Sequence, residues 1–165
     1  FDENVEVAFS KLALGLTSGA SDDYAKLILI APGKPVVDVE VSSMDAFPEP
    51  YVVKVMGTRG TLSATRAGYK LKYIVDGENP EKEVSETFIK NDAGDPVYCS
   101  EKLVKHEEEG KFNGTAFDVG TASLYEQIYF KITEGKDMTV TPEMAAAVIS
   151  VIETAHAQNP LPLKY

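Results

Sequence analysis

The stretch YVVKVMGTRGTLSAT, residues 51–65, sets Gly57 and Gly60 between two runs of β-branched and aromatic residues. Its reading decides whether the chain opens on a nucleotide loop or on a plain bend between strands. A glycine turn holds phosphate when a helix starts on its far side, because the first amides of that helix meet the anion. Here Gly60 leads into TLSAT, rich in strand formers, and then into a second turn at Arg66-Ala67-Gly68. The dinucleotide fingerprint Gly-x-Gly-x-x-Gly also lacks its first glycine pair. The Gly-x-x-Gly of RNA-binding loops joins two helices in basic surroundings, and neither is present. The stretch is expected to form a hairpin.

Upstream, Val5, Val7 and Phe9 alternate with Glu6, Ala8 and Ser10, the period of a half-buried strand. DDYAKLILIA and PVVDVEVSS flank Ala31-Pro32-Gly33-Lys34, where Pro then Gly suits a type II turn. In the second of these strands Val37, Val39 and Val41 share one face and Asp38, Glu40 and Ser42 the other. Downstream, YKLKYIV reads as a further strand, VSETFIK as one more, and Asn91 to Pro96 as a turn. KHEEEGKFNGT is expected to be a solvated loop from its charge and glycine content.

The last third changes period. Tyr125, Ile128, Tyr129 and Ile132 recur at helical spacing in VGTASLYEQIYFKITEGK, with Gly135 placed as a cap. A second helix opens at Thr141-Pro142-Glu143, carries the apolar stripe Met144, Val148, Ile149, Ile152 and Ala155, and stops at Asn159-Pro160. That stripe is expected to be core. Strands followed by helices predict an α+β domain: an open, mainly antiparallel or mixed sheet with helices packed on one face.

At 165 residues the chain fits one domain, residues 1–165, with enough sequence to bury a core without a staple. A net charge of −10, with no Lys/Arg cluster, argues against nucleic acid. No run approaches a membrane span. Cys99 is alone, so no disulfide forms within the chain, and the thiol is expected to be idle.

Chemistry-bearing motifs are incomplete. His106-Glu107 lacks the second histidine of a zinc-protease motif, since Gly110 stands there, and His106 and His156 alone make no metal site. Glu107, Glu108 and Glu109 read as a solvated run, not a general acid–base pair. Asn113-Gly114-Thr115 matches a glycosylation acceptor only as a short pattern. No Gly-x-Ser-x-Gly elbow occurs, and an independent hydrolase falls for want of a nucleophile–base pair.

YVVKVMGTRGTLSA and SLYEQIYFKITEGKDMTVTPEMAAAVISVIETAHAQNPLP together carry a resemblance. Their order of strand, G-T-x-G-x-L, Y-x-x-(I/L), glycine, V-T-P-E and A-x-x-V-I-x-x-I-E-x-A resembles the C-terminal domain of the Gfo/Idh/MocA oxidoreductases. These are NAD(P)-dependent dehydrogenases of sugars, inositols and related polyols. DDYAKLILIAPGKPVVDVEVSS resembles the sheet of a subgroup, and the likeness is thin between residues 76 and 117. The resemblance implies that this chain is the C-terminal part of a two-domain enzyme whose cofactor domain precedes Phe1. It implies a substrate-binding and oligomerisation role, a carbohydrate-like small-molecule substrate, NAD or NADP for the full-length protein, and a homo-oligomer formed through the sheet.

The family's E-K-P lysine and D-x-x-x-H histidine have no counterpart here. Glu81-Lys82 is followed by Glu83, Lys34-Pro35 sits in a turn, and both histidines lie too far downstream. No catalytic, cofactor-binding or metal residue is therefore assigned, substrate contacts stay unassigned, and the fragment is expected not to turn over by itself. A cytoplasmic setting is expected, any export signal lying upstream of Phe1. The alternative is a stand-alone interaction module using an open sheet face, either Val37, Val39 and Val41 or Tyr51, Val53 and Val55.

Overall fold

Strands precede helices in the computed structural model, which describes residues 5–15, 21–47, 52–80, 87–97 and 102–160. The fold is α+β, and its strands form two antiparallel sheets. The chain divides into two units, Phe1–Pro48 with Gly120–Tyr165, and Glu49–Val119. Cys99, Lys82 and Tyr51 lie outside the described residues, as do residues 84–86 of VSETFIK; its described part, residues 87–90, forms no strand beyond an isolated bridge at Lys90, contrary to expectation.

The first unit holds β1 (Glu6–Ala13), β2 (Tyr24–Ile30) and β3 (Val37–Ser42) in that spatial order. The β2–β3 turn is the expected one: Gly33 takes φ +68°, and the Lys34 N–H donates to the Ala31 carbonyl at 3.1 Å. Register sets Ala25, Leu27 and Leu29 opposite Val41, Val39 and Val37, making one apolar face. Strand β1 departs from simple alternation. A bulge between Val7 and Phe9 shifts its register, so that Val7 is buried while Phe9 is half exposed. Beyond the strand, the buried Asp23 carboxylate accepts the Gly15 N–H at 2.9 and 3.0 Å, tying down the start of the β1–β2 connection.

Helix α1 spans Ala116–Glu134 and α2 spans Pro142–Gln158. Thr115 begins α1 as half of a capping box. Its hydroxyl accepts the Asp118 N–H at 3.1 Å and donates to the Asp118 carboxylate at 2.6 Å. Gly135 ends the helix at φ +71°. Thr141 caps α2 by accepting the Met144 N–H at 3.3 Å.

Helix α2 meets β1 through small side chains. Ala155, 2 % exposed, packs on Leu12, with Leu14, Ala25 and Leu27 around them. The remaining stripe residues Met144, Val148, Ile149 and Ile152 are about half exposed, contrary to the expectation that they form core. The reason is the closeness of the contact at the other end. Because β1 is an edge, one row of its backbone groups has no strand partner. The amides of Gln158 and Asn159 take that place. Gln158 Nε2 donates to the Val7 carbonyl at 3.0 Å, and Asn159 Oδ1 accepts the Leu12 N–H at 3.2 Å. The Ser10 hydroxyl donates to Gln158 Oε1 at 2.5 Å and accepts from Asn159 Nδ2 at 2.9 Å. Asn159 Nδ2 also reaches the Ala155 carbonyl at 2.9 Å, closing the helix end. Such an approach selects the alanine-rich side of α2 and turns the larger stripe outward.

The second unit holds β4 (Val53–Met56), β5 (Gly60–Ala64), β6 (Gly68–Tyr73) and β7 (His106–Lys111), paired in chain order. Gly57-Thr58-Arg59-Gly60 is the expected hairpin, its Gly57 N–H donating to the Gly60 carbonyl at 2.8 Å. Neither glycine needs a positive φ. Gly60 is glycine because a Cβ there would stand 2.6 Å from the Lys72 carbonyl oxygen on β6.

Strand β7 replaces the expected solvated loop. Glu107 and Glu109 stand opposite Lys72 and Lys70, so a run that looks repulsive along the sequence becomes complementary across the ladder. Among the described residues beyond Gly77, Lys90 and Pro96 form an isolated bridge at the ends of the expected turn, Asn91 to Pro96.

If the amide clamp holds α2 to β1, Asn159→Ala leaves the Leu12 N–H without its partner and costs about 1–3 kcal/mol. Urea unfolding reads this as a lowered midpoint at unchanged m-value. An unaltered midpoint contradicts the role assigned to Asn159.

Candidate functional site

Period-2 alternation gives the second sheet two unlike faces. By register, Val53, Val55, Leu62, Leu71, Tyr69 and Tyr73 share one face with His106 and Glu108. Lys54, Ser63, Lys70, Lys72, Glu107, Glu109 and Lys111 share the other.

The apolar face carries a tight group of titratable side chains at the His106 end of β7. Tyr73 stacks on His106 with ring centroids 5.4 Å apart and 29° between the planes. His106 Nε2 lies 2.5 Å from the Glu78 carboxylate. The Tyr73 hydroxyl donates to Glu108 Oε1 at 2.6 Å. That bond holds the phenol above its ordinary pKa, because the neutral form donates to Glu108 and the nearby carboxylates oppose a phenolate; desolvation adds in the same direction. The turn beyond β6 is pinned beside this group. Asn79 pairs with the Val104 backbone in both directions, at 2.8 and 3.2 Å, and Arg59 pairs with Asp76. His106 therefore has a partner in Glu78.

In the first unit, Lys26 bridges Asp38 at 2.7 Å and Glu40 at 2.9 Å, while the Tyr24 hydroxyl donates to Glu40 at 3.0 Å. The Lys26 ammonium, with Tyr24 second, holds the Glu40 carboxyl below the usual range. The two carboxylates in turn push Lys26 upward. These charges satisfy one another on the polar face of β2 and β3. His156 lies on α2 with Nε2 3.5 Å from Asp22. The two histidines belong to different units. Among the described residues no group of three or more His, Cys, Asp or Glu side chains is placed to hold a metal.

The Gly57–Gly60 hairpin joins antiparallel strands, so a strand and not a helix starts on its far side, and the dinucleotide geometry does not fit there. Glu107 and Glu109 share one face of β7 and Glu108 the other: Glu107 pairs with Lys72 at 2.7 Å and Glu108 with Tyr73. Thr115, read in the sequence as part of a glycosylation pattern, is a helix cap. No sequence motif singles out Tyr73, Glu78 or Lys70. The signal for Tyr73 and Lys70 is the alternation YKLKY facing HEEEG, legible only once the two strands are paired.

Among the described residues no helix is long and apolar enough to cross a membrane. No family model and no curated protein matches the sequence. Among solved structures, one described as "putative oxidoreductase yvaA from Bacillus subtilis" is similar at TM-score 0.46 and 18% identity. The match covers 95% of this chain and 44% of that one, so the chain spans less than half its length. A likeness of that size carries no argument for activity.

The Tyr73–Glu108 bond gives a signed pH dependence. A raised folded-state pKa contributes stability that is present below the unfolded phenol value and lost as pH rises through the folded one. Glu108→Gln should return the Tyr73 pKa toward its ordinary value, followed by NMR titration of the Tyr73 ring carbons. An unchanged titration contradicts the assigned cause.

Proposed function

We propose that this chain is the substrate-pocket and oligomerisation domain of an NAD(P)-dependent oxidoreductase of the Gfo/Idh/MocA kind, acting on a sugar, inositol or related polyol. The observation that carries the reading is the order of its motifs together with the local structures they build. G-T-x-G-x-L forms the β4–β5 hairpin and V-T-P-E opens α2 with Thr141 as its cap. The resemblance implies an open sheet with helices on one face, and the fold here is α+β with two antiparallel sheets.

In this reading residues 1–165 act as one functional domain, and a nicotinamide-binding domain upstream supplies hydride transfer to or from a carbon bearing a hydroxyl. This chain orients the substrate and excludes water. The protein forms a homo-oligomer through the apolar sheet face, where Val53 and Val55 are each 50% exposed, and works in the cytoplasm. The same exposure favours a second reading, a stand-alone module that docks a partner on that face.

The coding frame upstream of Phe1 should hold a strand followed by Gly-x-Gly-x-x-Gly, then E-K-P and D-x-x-x-H. The longer protein should reduce NAD or NADP with a polyol, while this chain alone should give no saturable signal with NAD(H). A stop codon or signal peptide directly upstream overturns the oxidoreductase reading. Micromolar NAD(H) binding by this chain alone overturns the hairpin account of Gly57 and Gly60.

A further inference from the structure

On the charged face of the four-stranded sheet lies a shallow cleft of about 650 Å³, lined by Ser63, Gly68, Lys70, Glu109, Gly110 and Lys111 among others. Its floor is bare backbone for a packing reason. A Cβ on Gly68 would collide with the Gly110 carbonyl, and one on Gly110 would stand 2.5 Å from the Tyr69 ring. Gly68 shares the charged face with Lys70 and Lys111, so its missing side chain leaves the depression there, while Gly110 faces the other side, where the Tyr69 ring covers it.

The donors around it are unspent. Lys72 stands opposite Glu107 and closes a salt bridge at 2.7 Å. Lys70 stands opposite Glu109 in the same ladder, yet no ion pair joins them. Among the described residues the side chains of Lys70, Lys111 and Ser63 make no hydrogen bond or ion pair. Two ammoniums and a hydroxyl therefore border one opening, with a single carboxylate beside them.

The geometry points to a binding site for a small hydroxylated anion, a phosphate ester or carboxylate of a polyol. Lys70, Lys111 and Ser63 meet the anionic group, and Glu109 accepts a hydrogen bond from a ligand hydroxyl. Glu109 disfavours a bare anion, which is why a hydroxyl belongs in the ligand. The chain's net charge of −10 does not forbid the site. At physiological salt the screening length is about 8 Å, so the adjacent lysines outweigh distant carboxylates. A cleft of this size suits a small molecule, and the glycine floor allows close approach to the backbone. The polyol part rests on the oxidoreductase reading above, while the anion part stands on this face alone.

Titration of the full chain with glucose 6-phosphate, gluconate, inorganic phosphate and glucose, followed by amide NMR at Gly68 and Gly110, tests it. Glucose 6-phosphate or gluconate should shift both amides saturably and glucose should not; whichever anion binds tighter identifies the head group. The Lys70→Ala/Lys111→Ala double variant, with its unfolding midpoint checked, should bind about tenfold or more weakly. Glu109→Ala, which removes the like charge and the hydroxyl acceptor together, should strengthen inorganic phosphate more than the polyol anions. Unchanged binding by the double variant, or glucose binding as well as its phosphate, overturns the site. Inorganic phosphate matching both polyol anions overturns the role of Glu109. If the anions bind as stated and the longer protein transfers no hydride, the site stands and the oxidoreductase reading falls.

Discussion

The first unit depends on the closure of the β1 edge by the end of α2. An unpaired strand edge presents backbone donors and acceptors that must find water or a partner. Here the partners are side-chain amides, Gln158 and Asn159, each able to donate and accept at once. Ser10 links the two by donating to one and accepting from the other. The bulge beside Val7 belongs to the same arrangement. The extra residue brings the Val7 carbonyl to the outer edge together with the Ser10 and Leu12 backbone groups. Among the described residues the buried cluster around Ala155 and Leu12 is small, and the hydrogen bonds fix its position.

In the second unit the governing constraint is close approach between strands. Gly60, Gly68 and Gly110 each stand where a Cβ would strike the neighbouring strand or an aromatic ring. Their absence of side chains lets Tyr69 lie over Gly110 on one face and leaves an open floor on the other. Charge then sorts the faces. The lysine–glutamate ladder of β6 and β7 occupies one, and the tyrosines with His106 and Glu108 occupy the other.

Much of this is legible in the sequence where one local rule decides the outcome. Pro32-Gly33, Thr141-Pro142-Glu143 and Gly135 each specify a turn or cap by chemistry local in the chain, and each forms as expected. The features that escape depend on partners distant in sequence. HEEEGK reads as a loop until Lys70 and Lys72 stand opposite it. Asn159 reads as a helix stop, and nothing local announces that its side chain reaches Leu12. The apolar stripe of α2 reads wrongly as core because periodicity identifies an amphipathic helix without saying which side meets the sheet. The candidate cleft is invisible for the same reason, since Lys70 and Lys111 meet only through the β6–β7 pairing.

Native-state hydrogen exchange at the Leu12 amide tests the closure of β1 most directly. If Asn159 Oδ1 holds that N–H, Leu12 should exchange as slowly as Leu27 in the interior strand β2. Exchange of Leu12 at the rate of an open, solvated edge amide, with Leu27 still protected, would contradict it.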